Sequence, residues 1–219
     1  MAGNMLKKAL AKATKAELVD MVVAASEMLT ARQARDVLGD YHPDAARLRA
    51  PSGVRALVER VRNFHRDSLA GHYYAPFNMN SKNFSHVPEE TEDWADQAGE
   101  LIKATCEVSK AGNHVEAAEC FRLLYDVLEA VDRGEDVIFA EEVGTWMVHM
   151  EESHVVRAYL KSLAKVASEE EFTKEVARLA KRDRIHSSGR LGVLEVAPRV
   201  ATKAQRAHLA AAGVGNKTP

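Results

Sequence analysis

Apolar residues recur along this 219-residue chain at separations of three and four, and no alternation of period two persists, so the pattern predicts helices from end to end. Thr14 followed by Glu17 has capping-box spacing and starts a helix near Lys15, with Leu18, Val19, Val22, Val23 and Met28 on its apolar side and an end near Leu29. Thr30 caps a short helix that Gly39 and Pro43 stop near Leu38. After a break at residues 51–53, Leu57, Val58, Val61, Phe64, His65 and Leu69 mark a third helix up to Gly71.

The best-specified part is a central hairpin. Trp94, Ala98, Leu101, Ile102, Thr105 and Val108 line one face of a helix that stops at Gly112, and the next helix begins at once. From His114 to Val131 that helix is apolar around most of its circumference, leaving a narrow polar stripe of Glu116, Glu119, Asp126 and Glu129; such a helix has neighbours on several sides. Val137, Ile138, Phe139, Val143, Trp146 and Met147 then suggest a further helix interrupted near Gly144. Val155, Val156, Tyr159, Leu160 and Leu163 mark another, and Ser168 with Glu171 is a second capping box, before Phe172, Val176 and Leu179. Residues 186–192 are loop-like, and residues 204–212 form a last helix.

In the hairpin, Gly112, Ala117, Phe121 and Leu124 resemble the second half of a tetratricopeptide repeat, in which a small residue lets two helices approach and an aromatic fills the gap. In the first half, Leu101 stands where that family favours tryptophan, and Thr105 and Val108 replace its glycine and tyrosine. Residues 74–183 also resemble uncharacterised bacterial α-helical repeat proteins, tetratricopeptide-like or HEAT-like. Pattern and resemblance together give an all-α fold of stacked antiparallel helical hairpins, solenoid-like. The expected organisation is a helical region at 1–70, an aromatic and asparagine-rich loop at 71–88, an acidic repeat core at 89–185, and short helices with a basic tail at 186–219.

Charge changes this picture more than composition does. The net charge of −2 is a cancellation: residues 1–75 hold 12 Lys/Arg against 8 Asp/Glu, residues 76–172 hold 8 against 21, and residues 173–219 hold 10 against 3. Either the basic ends fold back onto the acidic middle, or the middle steers a basic partner toward itself. With 46% hydrophobic residues, no apolar run long enough to cross a bilayer and no signal-peptide pattern, the expectation is a soluble cytoplasmic protein.

Candidate chemistry is sparse. His149 and His154 flank Glu151 and Glu152, but a separation of five puts them about 140° apart on a helix, so only a loop brings them together on a metal. Cys106 and Cys120 lie on opposite arms of the hairpin; a redox role requires an exposed, low-pKa thiolate, whereas free cysteine is most often a small buried hydrophobe. No phosphate loop or nucleophile elbow occurs, and no cofactor, metal or catalytic set is assigned. Arg55, Arg62 and Arg66, and then Lys181, Arg182, Arg184 and Arg190, form two basic groups able to meet phosphate, which makes nucleic-acid binding the alternative reading. The favoured one is a non-catalytic scaffold for a basic protein or peptide. Its expected surface is the acidic face of Glu116, Glu119 and Asp126 together with the aromatic loop, whose Tyr74, Phe77, Asn78, Asn80, Lys82, Asn83 and Phe84 offer rings, amides and a cation.

Overall fold

The computed structural model describes residues 10–26, 53–75, 87–139, 145–186, 189 and 191–214. Its elements are α1 (Lys15–Ser26), α2 (Val54–Leu69), α3 (Glu89–Lys110), α4 (His114–Asp132), a 3₁₀ turn (Thr145–Met147), α5 (Glu152–Val166), α6 (Glu169–His186), α7 (Val193–Val200) and α8 (Lys203–Ala211). The fold is all-α: among the described residues the sole β pairing is an isolated parallel bridge between Tyr73 and Ile138. The chain divides into two compact units, Met1–Ala50 and Pro51–Pro219.

In the first unit, α1 starts where the capping box places it. The Thr14 amide donates to Glu17 Oε2 at 2.7 Å, and the Glu17 amide donates back to Thr14 Oγ1 at 3.3 Å. The apolar side read from the sequence is not buried: α1 buries no residue, and Val19, Val22 and Val23 are about half exposed. Met28 and the helix expected at 30–38 lie outside the described residues.

The second unit is built around α4. Ala117, Cys120, Phe121, Val127 and Ala130 are fully buried because α2, α3 and α5 pack against its different sides, as a helix apolar over most of its surface requires. Gly112 joins α3 to α4 at φ +90°, a left-handed conformation that favours glycine. Phe121 meets the Tyr159 ring of α5 at 5.3 Å between centroids, and Tyr125 stacks on the same ring at 5.5 Å. On α2, Leu57, Val58, Val61 and Phe64 are buried; Leu69, expected with them, is 43% exposed at the helix end.

Three helices, α6 to α8, close the unit. The second capping box is present, with the Ser168 amide donating to Glu171 Oε2 at 3.1 Å and the Glu171 amide donating to Ser168 Oγ at 3.2 Å. A third, Thr202 with Gln205, starts α8 and was not read from the sequence; the Gln205 side chain also donates to the carbonyls of Ala164 and Ala167, tying α8 to the end of α5. One sequence expectation fails. No helix covers residues 137–139: Val137 and Ile138 are buried loop residues beside Tyr73; residues 140–144 lie outside the described residues, and a 3₁₀ turn follows at Thr145–Met147. Two apolar residues held by a neighbouring loop need no helical period.

Candidate functional site

Most acids of the polar stripe of α4, expected as a partner surface, pair with residues of the same chain. Toward α2, Glu119 accepts from Arg62 Nε at 2.8 Å and Nη2 at 2.6 Å, and Asp126 meets His65 Nε2 at 2.7 Å. Toward α6, Glu129 pairs with Arg178 at 3.0 Å, and Asp132 at the helix end accepts from Arg182 Nε at 2.9 Å. Glu116 is half-buried. On α2, Arg62 and His65 thus pair with acids of the middle segment.

The α6 side is a buried polar layer. Arg182 bridges Asp132 and Glu152 with its side chain 5% exposed, and its guanidinium lies 5.5 Å from the centre of the Tyr125 ring. Arg178 bridges Glu129 and Glu175, and Glu175 also accepts the Tyr159 hydroxyl. Burial, reinforced by Glu152, raises the Tyr125 phenol above its ordinary value; burial and then Glu175 do the same for Tyr159, so both stay protonated. The Tyr125 hydroxyl and Glu129 Oε1 are buried without a hydrogen-bond partner. Arg182 therefore leaves the phosphate-binding group expected around it. Its neighbours Lys181 and Arg184 are exposed, Arg190 lies outside the described residues, and Asp183 is buried, accepting the Leu191 amide at 3.1 Å and the Val193 amide at 3.4 Å. Of the other basic group, Arg62 is paired as above and Arg66 pairs with Asp67 at 3.0 Å.

Of the aromatic loop, Phe77, Asn78, Asn80, Lys82, Asn83 and Phe84 lie outside the described residues, but its first residues are placed. The Tyr73 hydroxyl donates to Gln97, its ring lies 5.8 Å from Phe64, and the Tyr74 ring meets Phe139 edge-on at 6.3 Å with 37% of the residue exposed.

A solvent-open groove of about 300 Å³ lies between α3 and the 149–155 segment. A Cβ at Gly99 would stand 3.5 Å from the His149 carbonyl, an ordinary van der Waals contact, so the chain passes over α3 there, anchored by buried Val148. Ile102 and Val155 are its buried apolar walls, with Met150 and Cys106 half-buried beside them. Lys103, Glu107, Glu151, His149 and His154 edge it. The loop thus brings both histidines and Cys106 to one groove, yet among the described residues no three His, Cys, Asp or Glu side chains are placed to hold a metal ion. Burial and then Glu107 push the Cys106 thiol up to about 11; burial and then Glu119 push Cys120 to about 12. Both sulfurs are thiols at neutral pH, and the groove meets Cys106 as an apolar surface. Gly99, Lys103 and Met150 carried no signal in the sequence, because a groove made by a crossing loop has no helical period.

The outer face of α3 continues from this groove. Glu92 and Asp96 precede Gly99 by about two turns and one turn, Glu100 and Glu107 follow the same side, and Glu89, Glu90, Glu92, Glu100 and Glu107 are exposed. Three acids in the first turn also suit the positive end of the helix dipole. Comparison with protein-family models, with curated proteins and with solved structures finds no match to this chain. Among the described residues no helix is long and apolar enough to cross a membrane.

Proposed function

We propose that the protein is a non-catalytic interaction scaffold that holds a basic segment of a partner protein on the outer face of α3. The observation that carries this is the contrast between neighbouring helices: the carboxylates of α4 are largely answered by arginines and a histidine of the same chain, whereas α3 turns Glu90, Glu92 and Glu100 outward. That helix carries seven acids and two lysines, one of which, Lys110, lies 3.7 Å from Glu107. A field of one sign steers an oppositely charged segment and raises its association rate. The layering of helices around α4 supports reading the unit as stacked hairpins, an arrangement suited to presenting a long helical face. The partner surface accordingly moves from the α4 stripe to α3.

The test is the binding of a fluorescein-labelled Lys/Ser peptide, followed by anisotropy at low and at physiological salt. Wild type binds and loses affinity as salt rises, and the double reversal Glu92→Lys with Glu100→Lys abolishes the binding. Retention of binding by that variant rejects the assignment, as does binding of a DNA duplex in preference to the peptide.

A further inference from the structure

We infer that the groove beside Gly99 seats an apolar side chain of that basic segment, so that the partner is recognised as an aliphatic anchor flanked by lysine or arginine. This rests on the scaffold reading and adds a subsite to it. Two observations converge. The apolar part of the groove's lining is Ile102, Val155 and Met150, with the protonated Cys106 thiol beside them, a patch that accepts a hydrocarbon while charged and histidine side chains edge it. At about 300 Å³ it stands at the lower end of small-ligand pockets (roughly 300–1,000 Å³), which suits one or two side chains better than a cofactor. The charges around it are mostly acidic: Glu92, Glu100, Glu107 and Glu151 against Lys103 and Lys110, the latter 3.7 Å from Glu107. An apolar seat inside a negative rim complements an apolar residue between cations, and seating the anchor leaves the cations over the carboxylates. It is the arrangement in which a buried anchor supplies affinity and rim charges supply orientation.

The experiment compares two fluorescein-labelled peptides of equal length and charge, one of Lys and Leu, the other of Lys and Ser, on wild type and on Cys106→Phe, which fills the groove. Wild type binds the Lys/Leu peptide about tenfold tighter, the order expected for burying one aliphatic side chain. Cys106→Phe reduces the Lys/Leu affinity to that of the Lys/Ser peptide and leaves the latter unchanged. Because a phenylalanine at a half-buried position can perturb folding, amide shifts of ¹⁵N-labelled wild type are followed as well, and the Lys/Leu peptide moves residues 99–107 and 149–155. Equal affinity for the two peptides, or shifts that avoid these residues, overturns the groove assignment while leaving the acidic face intact. Binding of neither peptide removes both.

Discussion

The two flanks of α4 answer the same stripe of carboxylates in different surroundings. On the α2 flank, Arg62 and Glu119 are 51% and 38% exposed, so water and salt screen a pair whose 2.6 Å geometry is good. On the α6 flank, Arg182 and Asp132 are 5% and 9% exposed, and their partners are other groups of the protein more than water. Similar distances therefore stand for different energies. Burial, and the number of groups that would be left uncompensated, decides what a pair contributes.

The strongest way to break the comparison is Arg182→Met, which keeps much of the side-chain volume and removes the charge. Asp132, which keeps the Thr145 hydroxyl, and Glu152 then lose the cation that bridges them, and Tyr125 loses the cation over its ring. Loss of one partner from such a pair costs about 3–5 kcal/mol, read as a fall in the urea midpoint. A change below about 1 kcal/mol would show that water reaches the layer.

The stacked tyrosines sharpen it further, because they differ in one hydrogen bond. Tyr159→Phe removes the hydroxyl that Glu175 accepts and destabilises by about 1–2 kcal/mol, whereas Tyr125→Phe removes a buried hydroxyl without a partner and is neutral or slightly stabilising. A fall in the urea midpoint for Tyr159→Phe and none for Tyr125→Phe is the expected result. Alkaline titration tests the same layer. Both phenols have folded pKa values above their unfolded ones, so their contribution is complete below the ordinary phenol value of about 10 and is lost as pH rises beyond it. The thiols of Cys106 and Cys120 act in the same direction from the ordinary thiol value upward, so the urea midpoint falls from about pH 9 on. Cys120→Ala and Tyr125→Phe flatten that fall.

The sequence carried the helices where a local rule sets them. Thr14–Glu17 and Ser168–Glu171 placed two helix starts through bonds spanning three residues, and the all-round apolar pattern of α4 identified the central helix. It did not carry the groove or the ion layer. Arg182 and Asp132 are 50 residues apart, and a basic residue on a helix reads the same whether it meets solvent or Asp132. Thr202–Gln205 escaped because glutamine replaces the more familiar glutamate, yet Thr202→Ala is expected to cost about 1 kcal/mol in thermal or urea unfolding, the usual worth of an N-cap.

The smallest effect completes the comparison. Arg62→Ala removes a cation that raises the count of ion pairs by two, to Glu119 and to Glu59, and burial alone would rank it far below Arg182. Glu119 and Glu59 remain in contact with water after the change, so neither is stranded, and the side chain of Arg62 gives back rotamer freedom when released. The urea midpoint should stay within the scatter of repeated titrations at physiological salt. A small loss that appears only at low salt, and vanishes as salt is added, would locate the pair's whole contribution in a screened field. A salt-independent loss comparable to that of Arg182→Met would mean that the α2 flank is as dry as the α6 flank, and the distinction between the two sides of α4 would fall.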